Sequence, residues 1–153
     1  KRRLMNFLEK MEMKNLIFVT GDTHASWAFE IPKSMKQYKE DQTSLIGVEF
    51  GATSVSSANY DERYPVDTVK AIEKQFMTSG KNPHLKYVDL RNHGYLLLTL
   101  TPLAAKAEWW YVDTVRRPTK EERLGKVFIV RKDDYRLKTL PKRRLPLGQR
   151  RRN

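Results

Sequence analysis

Near the start of the chain Leu4, Phe7, Leu8 and Met11 fall at i, i+3, i+4 and i+7, the spacing that lays one apolar stripe along a helix. Asn15 ends that pattern. Residues 16–20, Leu-Ile-Phe-Val-Thr, form an unbroken branched and aromatic run, the expectation for a strand buried on both faces of a layered α/β sheet. Gly21 follows at once, so Asp22, Thr23 and His24 are expected on the loop at that strand's carboxyl end, where such sheets bind ligands. Residues 33–44 are polar and read as an exposed connection. Leu45 to Phe50 is a second strand, ending in the small and hydroxyl residues of 51–57. Pro65 can open a helix, in which Val66, Val69, Ile72 and Phe76 recur at helical spacing until Ser79 and Gly80 stop it.

From Lys86 the period changes to that of strands. Lys86 to Leu90 is one, Asn92-His93-Gly94 reads as a hairpin turn, and Tyr95 to Thr101, Ala107 to Val115 and Lys126 to Arg131 follow, with Thr101-Pro102 as a break. Trp109, Trp110 and Tyr111 alternate across a strand, and core packing explains them. The pattern is an α/β first half followed by an antiparallel, strand-rich second half, with no internal repeat.

The 153 residues suit one domain, expected to be soluble and globular. The longest apolar runs are too short to cross a bilayer, so no transmembrane segment is expected. A net charge of +12 would suggest an acidic partner, but its placement changes that picture. Residues 1–14 carry five basic and two acidic side chains, and residues 141–153 carry six basic and no acidic ones. The interior is therefore nearly balanced. We divide the chain into a domain over 1–140 and a disordered basic tail over 141–153, able to touch polyanions and lacking aromatic residues for base stacking. The chain has no cysteine, which excludes disulfides and thiolate ligands within it. It begins at Lys1 with a helix already under way, as in a piece cut from something longer, and shows no secretory signal.

Asp22 and His24 are the leading candidates for chemistry. A carboxylate and an imidazole two residues apart on one loop suit zinc, iron or manganese, although two ligands alone cannot hold a metal. The alternative is that Asp22 caps local backbone while His24 packs or hydrogen-bonds. His84, after Pro83 and before a strand, either lines a phosphate-binding site or is a buried strand-entry residue. His93 reads as a solvated turn residue. Ser54, Ser56 or Ser57 could act as a nucleophile with His24 as base and Asp22 as orienter, but the Gly-x-Ser-x-Gly elbow is missing.

Longer words narrow these choices. Asn15-Leu-Ile-Phe-Val-Thr-Gly-Asp-Thr-His-Ala-Ser-Trp27 resembles the last metal-binding segment of the PhoD-like alkaline phosphatases. Glu49-Phe-Gly-Ala-Thr-Ser-Val-Ser-Ser57 resembles that family's next block. Asn82 to Leu90, Gly94 to Pro102 and Glu108 to Val115 are similar to its remaining C-terminal blocks, in the same order, so the likeness covers roughly residues 1–137. It implies the C-terminal half of a two-sheet, calcineurin-like metallophosphatase sandwich with helices outside. It also implies a cluster of iron and calcium, with manganese or zinc possible, in which Asp22 and His24 are the final ligand pair. The implied activity is metal-assisted hydrolysis of phosphomonoesters or phosphodiesters by a longer protein, with this chain inactive alone. The family's other ligands lie in an N-terminal half absent from these residues. Export to the periplasm or beyond is implied by the same likeness. The rival reading is a non-catalytic module that keeps the fold and binds nucleic acid or phospholipid through its basic tail.

Overall fold

Leu16–Thr20 and Leu45–Gly51, the two apolar runs that flank the Asp22 loop, lie side by side and parallel in the computed structural model, with Ile17 opposite Val48 and Val19 opposite Phe50. The structure describes residues 2–140; the basic segment 141–153 lies outside them. The elements are α1 (Arg2–Lys10), β1 (Leu16–Thr20), β2 (Ser26–Pro32), α2 (Met35–Asp41), β3 (Leu45–Gly51), α3 (Val66–Thr78), β4 (Leu85–Asp89), β5 (Gly94–Leu100), β6 (Ala104–Val112), β7 (Glu122–Arg131) and β8 (Lys138–Thr139), with one 3-10 turn at Tyr60–Glu62. They form a mixed α/β chain with two four-stranded sheets, ordered β1-β3-β2-β4 and β5-β6-β7-β8. No helix among the described residues is long and apolar enough to cross a membrane.

Both sheets contribute to one core. Ala28, Val48 and Phe50 of the first pack with Ala105, Ala107, Trp109, Tyr111, Phe128 and Val130 of the second. On the other face of the first sheet, Val69, Ile72 and Phe76 of α3 meet Trp27, Phe29, Leu85 and Val88. Alternation along β2 divides these roles: Ser26, Ala28 and Glu30 are buried, while Trp27 and Phe29 turn toward α3.

Several expectations are corrected. β1 is an edge strand and is not buried on both faces; Val19 is 58% exposed. An unexpected strand, β2, fills the centre of the sheet between β3 and β4. The polar stretch 33–44 contains α2, N-capped by Ser34 and burying Tyr38 completely. Asn92-His93-Gly94 is not a hairpin turn, because β4 and β5 belong to different sheets and the chain crosses between them there. In α1 only Leu8 of the predicted stripe is buried, and Leu4, Phe7 and Met11 face outward.

Glu30 is a buried charged residue on the same face of β2 as Ala28. Its carboxylate accepts from the Tyr38 hydroxyl at 2.6 Å, the Leu137 amide at 3.0 Å and Arg136 Nη1 at 3.1 Å, with Lys86 Nζ at 3.5 Å. One buried side chain thus joins α2, β4 and the segment after β7. Glu30→Ala should cost about 3 kcal/mol, the lower end for breaking a buried pair, since Lys86 and Arg136 are 25% and 30% exposed and regain some water. The urea midpoint at pH 7 measures it, and an unchanged midpoint would remove Glu30 from the fold's support.

The buried phenols make stability pH-dependent. Burial first, then the neighbouring Glu30 carboxylate, raises Tyr38 above its ordinary value of 10.0. Burial with the adjacent hydroxyl raises Tyr87, and burial with the charge of Asp89 raises Tyr111. A raised folded pKa stabilises fully below the unfolded value and progressively less above it, because only the unfolded chain then ionises. Urea stability should hold up to about pH 9 and fall as pH climbs beyond about 10. A flat profile to pH 11 would contradict this.

Candidate functional site

β1 and β3 are parallel, and β2 is antiparallel to both β3 and β4, so β1, β3 and β4 all run the same way. Their carboxyl ends therefore open at one edge of the sheet. Three connections meet there: Gly21–His24 after β1, the loop after Gly51 that leads to the 3-10 turn, and residues 90–93 after β4. The Tyr60 amide donates to the Leu90 carbonyl at 3.2 Å, and the Gly94 amide to the Ser54 carbonyl at 3.0 Å. Thr53 Oγ1 lies 3.0 Å from the His24 carbonyl and 2.7 Å from that of Asn92.

Asp22 and His24 both occupy the left-handed region, with φ of 70° and 57°. Side-chain-bearing residues rarely adopt it, and two in one three-residue loop mark a conformation held by its surroundings. Thr23 Oγ1 accepts from the Trp27 indole at 2.9 Å, and the Thr23 amide donates to the Gly21 carbonyl at 2.8 Å. His24 Nδ1 stands 2.9 Å from the Ala58 carbonyl. A carbonyl can only accept, so Nδ1 carries a proton, and in the neutral ring Nε2 is then a bare lone pair. This is how a metal-binding histidine is held, one nitrogen anchored and the other free to ligate.

A second histidine lies nearby, and its surroundings correct the expectation for it. His93 is buried, not solvated. Its Nδ1 lies 3.3 Å from Ser54 Oγ, and its Nε2 lies 3.0 Å from Glu62 Oε1 and 4.0 Å from Asp61 Oδ1. Asn59 and Glu62 form a capping box around the 3-10 turn, with Glu62 Oε2 accepting from the Asn59 amide at 2.6 Å. Burial, then the charge of Glu62, raises Asp61 above its ordinary range. At Glu62 burial acts upward too, but the Asn59 amide and His93 outweigh it and hold its carboxyl low.

The serine-hydrolase arrangement is not formed. Ser54 faces His93 rather than His24, and its hydroxyl donates to the Ser57 carbonyl at 2.6 Å. Nor is His84 brought to Asp22 and His24. Pairing of Ser26 with Asp89 and Phe29 with Leu85 puts it at the far end of β2, where its carbonyl accepts from the Glu30 amide at 2.9 Å and its ring packs 5.4 Å from Phe29. Sequence reasoning missed Asp61 and Glu62. The Asn59-x-x-Glu62 spacing was a readable sign of a cap, but not of a histidine 31 residues further on.

The chain thus pairs one mixed and one antiparallel sheet and carries a carboxylate-imidazole loop where the parallel strands of the first sheet end, an α/β protein of two sheets, and comparison with known proteins narrows it. The chain belongs to the PhoD-like phosphatase family, whose sequence profile matches residues 1–109. It is 28% identical over 134 residues to alkaline phosphatase D of Bacillus subtilis (strain 168), covering 87% of this chain and 21% of that protein. A solved structure described as "Structure of PhoD" superposes with a TM-score of 0.66 at 24% identity, over 95% of this chain and 26% of that one. That likeness shows the fold. The chain therefore spans about a fifth of the length of the curated relative it matches.

The tautomer of His24 is directly measurable. In the metal-free chain, nitrogen-15 spectra of the neutral ring should show the proton on Nδ1 and none on Nε2. A ring protonated at Nε2 would break the contact with Ala58 on which the arrangement rests.

Proposed function

We propose that Asp22 and His24 are the contribution of this chain to a metal centre that hydrolyses phosphomonoesters or phosphodiesters, in a polypeptide whose other ligands come from residues outside these 153. The observation that carries this is the His24 ring, anchored at Nδ1 by Ala58, two residues from Asp22 on a left-handed loop. Family membership supports the reaction class. The donor set fits part of a coordination shell: a carboxylate suits calcium, and an imidazole with a carboxylate suits iron, manganese or zinc. Among the described residues, the group of three possible metal-ligating side chains within reach of one another does not include this pair, so the pair needs partners. Once bound, the metals would supply Lewis acidity and neutralise phosphoryl charge.

The chain's own residues hold the pair ready. Ala58 fixes the His24 tautomer, Thr53 bridges the His24 and Asn92 carbonyls, and Trp27 braces Thr23 between the two ligands. His84 is left out of this centre because β2 separates it from the loop.

The test uses the longer polypeptide that carries the remaining ligands. His24→Ala should lower its metal content and reduce phosphodiester turnover by more than about a hundredfold while the fold persists. Near-normal turnover would remove His24 from the centre. In parallel, the 153-residue chain should show no metal-dependent hydrolysis of a chromogenic phosphodiester. Robust turnover lost on Asp22→Ala would place a complete site within these residues.

A further inference from the structure

We propose that Asp61, Glu62 and His93 form a second cation site, separate from Asp22 and His24, that takes a borderline divalent ion such as zinc and clamps the 3-10 turn to the crossing between the sheets. It does not rest on the reading of Asp22 and His24.

The argument is one of donors and acceptors. A serine hydroxyl has one proton, and that of Ser54 goes to the Ser57 carbonyl 2.6 Å away. At the 3.3 Å contact with His93, Ser54 must therefore accept, so the ring donates from Nδ1. In the neutral ring Nε2 is then a bare lone pair, and it points at Glu62 Oε1 only 3.0 Å away. Two acceptors cannot stand face to face unless something positive lies between them. A proton on Nε2 would serve Glu62, but it would not serve Asp61 Oδ1, which is 4.0 Å from Nε2, out of hydrogen-bonding reach. That oxygen is buried and has no hydrogen-bond partner. An unserved buried oxygen beside a second carboxylate is costly. One divalent ion would meet all three atoms, which lie within 4.8 Å of one another.

The donor set and its support fit this ion class. One imidazole nitrogen with two carboxylates suits zinc or manganese. Ligands about 2.1 Å from a shared zinc ion stand roughly 3.4 Å apart at the tetrahedral angle. The Glu62 and Asp61 oxygens, 3.0 Å and 4.0 Å from Nε2, lie on either side of that span, so small side-chain adjustments would bring both onto one ion. Ser54 steadies the far nitrogen of His93, and the Asn59 amide holds the other oxygen of Glu62, as outer groups do around metals. Asp61 and Glu62 are about a third exposed while His93 is 7% exposed, so an ion can enter from the carboxylate side.

The test is zinc titration calorimetry on the chelator-treated 153-residue chain carrying Asp22→Asn and His24→Gln, which silences the other candidate pair. One equivalent of zinc should bind and raise the melting temperature. Adding Asp61→Asn should weaken binding about tenfold or more and abolish that rise. Asn has the shape of Asp, and circular dichroism in chelator would show that the fold is kept. His93→Gln should act likewise, and zinc should displace any proton from His93 Nε2 in nitrogen-15 spectra. Absence of zinc binding in the Asp22→Asn, His24→Gln chain, or zinc binding that Asp61→Asn leaves unchanged, would overturn the proposal. The first result would make His93 an imidazolium held by Glu62.

Discussion

The indole N–H of Trp109 is the constraint around which the rest is arranged. Trp109 is fully buried in the second sheet, with edge-to-face contacts to Phe50, Tyr87 and Phe128. A buried indole needs an acceptor, and the one it finds is the Gly51 carbonyl, 2.9 Å away at the last position of β3. Gly51 has little freedom of identity, because a Cβ there would come within 2.9 Å of Trp27 Cδ1. One hydrogen bond across the sheets thus fixes where β3 stops and where the next loop begins. That loop carries Thr53, Ser54 and Ala58, which hold His24 and His93.

The same edge is pinned a second time. Tyr111 donates to Ser26 Oγ at 2.9 Å, and its oxygen lies 2.7 Å from that of Tyr87. Ser26 opens β2 two residues after His24, so the second sheet sets the exit of the Asp22 loop as Trp109 sets the loop facing it. These polar contacts require that the inward face of β2 be small. Ser26 and Ala28 leave room for Trp109, Tyr111 and Phe128, and Glu30 at the other end takes Tyr38 and Arg136 instead. Large residues on one sheet met by small ones on the other fill the space without voids, and the buried hydrogen bonds select one register.

This complementarity decides what could be read from the sequence. β1, β3, α3 and the strands of the second sheet announce themselves, because their apolar residues recur at the period of the element or form a continuous run. β2 does not. Its apolar Trp27, Phe29 and Ile31 share the face toward α3, while the positions facing the second sheet are Ser26, Ala28 and Glu30, so the more buried face is the one its sequence marks as polar and small. α2 buries one residue, Tyr38, and a single position makes no stripe. β1 misleads in the other direction: its unbroken apolar run implied two covered faces, yet β1 is an edge strand with β3 as its neighbour. The loop position of Asp22 and His24 was legible because both sit in one short word after a strand. His93 was not, since its burial depends on Ser54 and Glu62, which lie 39 and 31 residues away.

The loop from Gly51 to Glu62 links the two histidines physically. Its Ala58 carbonyl selects the tautomer of His24, and within four residues Glu62, held by the Asn59 amide, meets the ring of His93 from the other direction. Ser54 closes the circuit, with its hydroxyl on Ser57 within the loop and its carbonyl on the Gly94 amide where the second sheet begins. A shift of this loop cannot move one ring and spare the other. The link runs through one peptide: the Ala58 carbonyl that accepts from His24 and the Asn59 amide that donates to Glu62 belong to the same peptide unit.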